Sequence, residues 1–161
     1  MLIDRTVQDR QGIGMIILHA TAVAIEGRAI LLRGPSGAGK SDIALQLLDG
    51  GATLIADDYV ELHGKDGQVL ARPPAKIAGL MEIRGIGLVQ VPHVSDIPVA
   101  FAVNLADKSM IERLPEQRAR LHIDDIPVPL VEMDGQAPST PARIRFLLTQ
   151  DWQSMDGSDD S

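Results

Sequence analysis

The chain has 161 residues, of which 45% are hydrophobic and 23% charged, a composition typical of one globular domain with an aliphatic core. A net charge of −7 and an aromatic content of 2% argue against a nucleic-acid partner, which needs a basic surface or stacking side chains. Zero cysteines exclude disulfides and thiolate catalysis, and the lack of a signal peptide or a roughly 20-residue apolar span predicts a cytoplasmic protein without a membrane partner.

The first third of the chain predicts consecutive strands and one βαβ unit. Glu26 and Gly27 lie between two aliphatic runs and predict a hairpin turn. Apolar residues at spacings of three and four predict a helix over 40–49, with Gly50 as its stop signal. Because strand, glycine loop, helix and strand follow in that order, we expect the strands on either side of the helix to be neighbours in a parallel pair. Strands are predicted at 15–18, 22–25, 29–32 and 53–56.

The rest of the chain predicts more strands than helices, which together with the βαβ unit indicates an α/β fold class. Residues 64–67 form a turn cluster that predicts a second hairpin. Thr140-Pro141 predicts the start of a helix that runs to Leu148. A short helix is expected over 77–82, and a loop with one helical turn over 108–120. Strands are predicted at 59–62, 68–71, 87–91, 99–104 and 127–133.

The composition changes at the end of the chain. After Trp152 the sequence is acidic and rich in Ser, and residues 151–161 hold four Asp and no basic residue. A segment of this kind is typical of a solvated, disordered end. We therefore expect residues 1–150 to form one domain and residues 151–161 to be a tail.

The strongest motif is the run Gly34-Pro35-Ser36-Gly37-Ala38-Gly39-Lys40-Ser41, a full match to the phosphate-binding loop pattern G-x-x-x-x-G-K-[ST]. It lies between a predicted strand and a predicted helix, where glycines turn backbone N–H groups inward and the helix N-terminus attracts anions. Lys40 would reach the β- and γ-phosphates, and the Ser41 hydroxyl would bind Mg²⁺. The motif predicts binding of a nucleoside triphosphate and leaves the phosphate acceptor open.

Two adjacent carboxylates, Asp57 and Asp58, directly follow the strand at 53–56. Open α/β sheets bind ligands at the carboxyl ends of their strands, so this pair is placed near the loop. One carboxylate could hold Mg²⁺ through water, and the other could take a proton from an acceptor hydroxyl. The alternative is a turn that merely ends the strand.

Three further groups are weaker candidates. His19 ends a strand and could carry a proton in the site, or lie at a sheet edge without a functional role. Glu82 and Arg84 precede two glycines, which suits a metal ligand and a phosphate contact on one loop. Arg113 could stabilise a transferring phosphate, although arginines in a polar stretch are usually a solvated face.

Four segments, taken together, resemble the catalytic domain of the HPr kinase/phosphorylase family, bacterial enzymes that phosphorylate a serine of HPr, the phosphocarrier of the sugar phosphotransferase system. Their order and spacing agree with the family from about residue 15 to 135, and the last two make the match specific because most phosphate-loop proteins lack both. The segments are His19 with Ala-Thr-Ala-Val after it, the loop at 34–41, Leu-Ile-Ala-Asp-Asp at 54–58 and Met-Glu-Ile-Arg-Gly-Ile-Gly at 81–87.

The resemblance implies a phosphate-loop domain with a mixed sheet of the HPr kinase catalytic-domain type, with ATP and Mg²⁺ as cofactors. It implies that Lys40 and the loop amides hold the phosphates, with Ser41 and Glu82 near Mg²⁺. HPr would be the protein substrate. Because full-length family members assemble as hexamers, a homo-oligomer is a further expectation.

The resemblance also implies roles in catalysis. Asp58 matches the family's proton acceptor for the seryl hydroxyl, with Asp57 beside it. His19 matches a residue that assists proton transfer or phosphate positioning, and Arg113 matches the family's catalytic arginine. Which of Asp57 and Asp58 is the base depends on the resemblance alone.

Three departures from the family are visible. The residues before Ile13 leave no room for the separate N-terminal domain of full-length members, which predicts a short form. Pro35 stands where the family commonly has an acidic residue in the loop, and Asp42 stands where Glu is common after the loop serine. Both changes are tolerable, because neither side chain supplies the backbone amides that hold the phosphates. Residues 126–130 only partly resemble the segment tied to phosphorolysis, and Glu132 and Asp134 follow where basic residues are expected, which makes phosphorylase activity doubtful.

The sequence thus favours an ATP-dependent HPr serine kinase and keeps two other functions open. The second is a kinase of the same fold with another protein or a small molecule as acceptor. The third is a nucleotide-sensing module that has lost catalysis.

Overall fold

The computed structural model describes residues 5–8, 14–113 and 119–150. The predicted acidic tail at 151–161 lies outside the described residues. Two helices are present in the described part of the chain, α1 (Lys40–Asp49) and α2 (Thr140–Leu148), and both have the predicted bounds. The strands are β1 (Arg5–Gln8), β2 (Gly14–His19), β3 (Thr21–Ile25), β4 (Arg28–Arg33), β5 (Thr53–Ala56), β6 (Tyr59–Lys65), β7 (Gln68–Arg72), β8 (Leu80–Ile83), β9 (Gly87–Gln90), β10 (Ile97–Ala106), β11 (Ala119–Ile123) and β12 (Ile126–Asp134).

Ten of these strands form one mixed sheet, which confirms the predicted fold class. Its order is β1-β2-β6-β7-β10-β4-β3-β5, with β12 added beside β10 and β11 beside β12. β10 joins the two halves, because its first residues pair antiparallel with β7 and its later residues pair parallel with β4 and β12. β8 and β9 form a separate antiparallel hairpin.

The expected direct pairing of the two strands that flank α1 is wrong. β3 lies between β4 and β5 and pairs antiparallel with both. The tight turn at Glu26 and Gly27 folds β3 back onto one side of β4, and β10 takes the other side, so β5 adds to β3 instead. Since β4 and β5 both run antiparallel to β3, they point in the same direction, and their carboxyl ends still meet at one edge.

The predicted short helix over 77–82 is also wrong. A 3-10 turn at Ala75–Ile77 is followed by β8, in which Met81 is buried and Glu82 is exposed. Gly79, with φ of 77°, breaks the helical conformation before the strand begins. The expected loop over 108–120 holds the predicted helical turn, a 3-10 turn at Lys108–Met110, but its last two residues begin β11. Residues 114–118 of this range lie outside the described part of the chain.

Two apolar layers enclose β4, which explains its unbroken aliphatic run. Ile30 and Leu32 face the layer that holds α1 and α2, whereas Ala29 and Leu31 face the layer between the two halves of the sheet. The strand that leads into the loop is therefore buried on both faces and gives the loop a rigid base. No described helix is long and apolar enough to cross a membrane.

Candidate phosphate-binding site

The glycine-rich loop at 34–41 joins the buried strand β4 to α1. Gly37 and Gly39 have φ of 85° and 108°, in the left-handed region that lets successive N–H groups point to one side. The ammonium group of Lys40 is enclosed by the loop, because Nζ donates to the carbonyl oxygens of Gly34 at 2.5 Å and Pro35 at 3.2 Å. The loop therefore has the curved form that the motif predicts.

A residue that the sequence analysis missed, Gly135, supports this loop from outside. It follows β12, and a Cβ atom on it would lie 1.9 Å from the backbone oxygen of Ala38. In return, a Cβ on Gly39 would lie 2.5 Å from the Gly135 oxygen. Only two facing glycines allow the backbones to approach this closely. The parallel pairing of β12 with β10, which a single sequence does not reveal, brings Gly135 to the loop.

A polar cavity of about 290 Å³ opens beside the loop. It contains loop residues, one of the two adjacent carboxylates, and the Glu82 and Arg84 pair of the β8–β9 hairpin. The structure adds Asp42 and Gln136 to the predicted residues. The lining residues are Ser36, Gly37, Gly39, Lys40, Ser41, Asp42, Asp58, Glu82, Arg84 and Gln136.

Asp57 is buried behind this cavity and accepts three hydrogen bonds. Its Oδ1 accepts from Thr21 Oγ1 at 3.0 Å and from Ser41 Oγ at 3.1 Å. Its Oδ2 accepts from the backbone N–H of Glu82 at 3.0 Å. The carboxylate thus ties β3, α1 and β8 together, and Asp57 is only 8% exposed to solvent.

Asp58 has the opposite environment. Its side chain is 60% exposed, lines the cavity, and accepts a hydrogen bond from His19 Nε2 at 2.8 Å. The His19 ring in turn packs against the ring of Tyr59, with centroids 5.1 Å apart. An exposed carboxylate with an imidazole partner can take a proton from a hydroxyl in the cavity, which the enclosed Asp57 is not placed to do.

The oxygen atoms near Ser41 fit Mg²⁺ bound together with a nucleotide. Magnesium prefers oxygen ligands and keeps several waters, so one or two protein groups plus phosphate oxygens suffice. The Ser41 hydroxyl, the Asp57 carboxylate and the exposed Glu82 side chain supply such oxygens. Among the described residues there is no cluster of three or more His, Cys, Asp or Glu that would bind a metal alone. The donor set therefore suits a metal that arrives with phosphates.

Arg113 is not brought to this cavity. It is exposed, lies after the 3-10 turn that follows β10, and lines a separate cavity of about 610 Å³ with Glu132 of β12 and Arg143 and Phe146 of α2. The arginine that lines the phosphate cavity is Arg84. The structure thus joins His19, Lys40, Ser41, Asp57, Asp58 and Glu82 through direct contacts or one cavity and leaves Arg113 apart.

Comparison with known proteins agrees with this geometry. Residues 13–144 match the family model described as HPr Serine kinase C-terminal domain. HPr kinase/phosphorylase of Streptococcus salivarius is 32% identical over 127 residues, which cover 72% of this chain and 41% of the relative. HPr kinase/phosphorylase of Lactobacillus acidophilus is 35% identical over 127 residues, with 72% and 39% covered. HPr kinase/phosphorylase of Clostridium beijerinckii is 42% identical over 74 residues, with 46% and 24% covered.

The chain spans between about a quarter and two fifths of the length of these curated relatives. A solved structure, that of the Hpr(Ser) kinase/phosphatase from Coxiella burnetii, superposes with a TM-score of 0.75 over 86% of this chain and 97% of that one. The two are 24% identical, so this match shows a shared fold. The family match over most of the chain and the shared fold lead to one conclusion: this chain belongs to the HPr serine kinase C-terminal domain family.

Proposed function

We propose that the chain is an ATP-dependent serine kinase that phosphorylates HPr in the cytoplasm and so regulates the sugar phosphotransferase system. The observation that carries this proposal is the exposed Asp58 carboxylate, held by His19 in the same cavity as Lys40 and Ser41. A proton acceptor beside a phosphate-binding loop is what transfer to a hydroxyl requires. The chemistry of the cavity supports a kinase, and the names of the relatives support HPr as the acceptor.

Nucleotide binding is assigned to the loop. Lys40 donates to the loop's own carbonyls in the structure, and the same ammonium group would contact the β- and γ-phosphates of ATP. Mg²⁺, when bound, would supply positive charge that offsets the negative charge of the phosphates. Ser41 and Glu82 are the residues we assign to it, with Asp57 fixing the Ser41 hydroxyl behind them.

The proton step is assigned to Asp58. As the serine oxygen forms its bond to the γ-phosphorus, the bond between that phosphorus and the oxygen of ADP breaks, and the serine proton passes to the Asp58 carboxylate. His19 orients this carboxylate through its 2.8 Å hydrogen bond. Arg84, which lines the cavity, has a guanidinium group that could meet the charge on the transferred phosphate, and this makes it a better candidate than Arg113, which lines a separate cavity.

Two variants separate ATP binding from phosphate transfer. Lys40→Ala should lose both ATP affinity and transfer. Asp58→Asn should lower the rate of transfer by about 10² to 10⁴, the usual value of a general base, while it binds ATP as the wild type does. Asp66→Asn is a matched control for the same substitution, because Asp66 lies in the turn between β6 and β7 and does not line the cavity.

The favoured function and the two alternatives that the sequence keeps open predict different results in these assays. Transfer to HPr that both variants abolish supports the proposal. ATP binding with transfer only to another acceptor would support a different kinase, and ATP binding without any turnover would support a sensor. Near wild-type transfer by Asp58→Asn would refute the role of the carboxylate.

A further inference from the structure

The first residue of β3, Thr21, contacts both members of the adjacent carboxylate pair. Its side chain is fully buried at the edge of the site. Its Oγ1 donates to Asp57 Oδ1 at 3.0 Å and accepts from the backbone N–H of Asp58 at 3.2 Å. One hydroxyl therefore bridges two residues whose side chains point in different directions.

The bridge uses the hydroxyl both as a donor and as an acceptor. A threonine hydroxyl has one proton to donate, and here it goes to Asp57, which leaves the oxygen lone pairs for the Asp58 N–H. Asp58 has a φ of 75°, a left-handed conformation that is uncommon outside glycine and that costs free energy unless neighbouring contacts hold it. The hydrogen bond to Thr21 is such a contact, and the bond between His19 and the Asp58 side chain is another.

The strand order explains why Thr21 reaches this position. β3 lies between β4 and β5, and Ala22 is the register partner of Ala56, the last residue of β5. Thr21 therefore lies beside the residue that follows β5, which is Asp57. The other residues of β3 are buried and apolar, so the one hydroxyl in this strand lies where the carboxylate pair needs a donor and an acceptor.

We propose that Thr21 is a positioning residue that turns Asp57 inward to the loop serine and holds Asp58 in the conformation that presents its carboxylate to the cavity. Its effect on phosphoryl transfer rests on the proposed kinase function. Its effect on the Asp58 backbone does not, and the two are measured separately.

The test compares Thr21→Val, which keeps the shape of the side chain and removes the hydroxyl, with Thr21→Ser, which keeps the hydroxyl. Thr21→Ala provides a second variant without the hydroxyl if the valine variant folds poorly. Thr140→Val is a control for the loss of a buried threonine hydroxyl elsewhere, since Thr140 is buried and donates to the backbone oxygen of Asp134. Amide hydrogen exchange at Asp58 is followed by NMR in the free protein, and kcat and KM for ATP are measured with HPr.

We expect exchange at the Asp58 amide to be about tenfold faster in Thr21→Val and Thr21→Ala, and close to wild type in Thr21→Ser and Thr140→Val. We expect kcat to fall at least about tenfold without the hydroxyl, with KM for ATP within about threefold, and Thr21→Ser to restore kcat.

Unchanged Asp58 exchange in the variants without the hydroxyl would overturn the proposal. Equal losses in Thr21→Ser and Thr21→Val would also overturn it, because they would show a role in packing. If the wild type transfers no phosphate, the proposed function fails, and the exchange data still decide whether Thr21 holds the Asp58 backbone.

Discussion

Replacing Gly135, which lies outside the motif, by alanine should distort the phosphate-binding loop and so weaken ATP binding and slow phosphate transfer. The new Cβ would lie 1.9 Å from the backbone oxygen of Ala38 and 3.4 Å from the Cβ of Leu105. Real Cβ atoms essentially never approach another heavy atom within 3.0 Å, so the end of β12 and the loop must separate by about 1 Å. The atom that is too close belongs to the backbone, so a side-chain rotation cannot relieve the contact.

The expected losses of ATP affinity and transfer rate follow from this displacement. Misplacing reacting groups by about 1 Å can lower a rate by about 100-fold. Each hydrogen bond to a charged phosphate that the loop loses should weaken binding by about tenfold. Gly135→Ala should therefore bind ATP at least about tenfold more weakly than the wild type and transfer phosphate about 100-fold more slowly.

Isothermal titration calorimetry with ATP and initial rates of transfer would measure both quantities. Gly14→Ala is the matched control, because a Cβ on Gly14 would meet no atom within 4 Å. Circular dichroism would show that the variants are folded. ATP affinity of Gly135→Ala within twofold of the wild type would refute the reasoning that this contact shapes the loop.

Three further predictions concern other contacts. Arg145→Met should lower the free energy of unfolding by about 1 to 3 kcal/mol in urea, because the guanidinium group donates to the Leu47 carbonyl near the end of α1; no change would show that the helix contact contributes nothing. Glu82→Gln should raise the Mg²⁺ concentration needed for half-maximal transfer, and an unchanged requirement would contradict its assignment to the metal. The pKa of Asp107 is lowered because the Ser109 backbone N–H, and secondly its hydroxyl, donate to the carboxylate. This contribution to stability is present above the unfolded-state pKa and lost as pH falls, so the stability advantage of wild type over Asp107→Asn should shrink between about pH 5 and pH 3; an advantage that grows would contradict it.

Local signals predicted much of the fold. The bounds of α1 and α2 follow from apolar spacing, the glycine stop after Asp49 and the proline at the start of α2. The hairpin turn at Glu26–Gly27 also follows from its residues. These features depend on neighbours in the sequence, which a single sequence contains.

Long-range contacts could not be predicted in the same way. The strand order places β3 between β4 and β5, and this depends on which strands compete for each edge of β4. Thr21 and Asp57 are 36 positions apart, and Gly135 meets Ala38 only because β12 pairs with β10. The glycine-rich motif and the adjacent pair of aspartates therefore indicated the loop and the carboxylates from sequence. The residues that contact them from distant strands became visible only in the structure.

The different environments of Asp57 and Asp58 illustrate the same limit. As neighbours in sequence, the two carboxylates are distinguished only by the family resemblance. The structure buries Asp57 among three donors and leaves Asp58 exposed beside His19. The proposed division of roles between them rests on these tertiary contacts.

The most direct test of the proposed kinase activity is transfer of label from γ-labelled ATP, with Mg²⁺, to HPr from the same organism and to HPr whose target serine is replaced by alanine. We predict label on HPr that requires the serine and is lost with the Asp58→Asn variant. A preparation that binds ATP and labels neither form of HPr would contradict the proposal that the chain phosphorylates HPr.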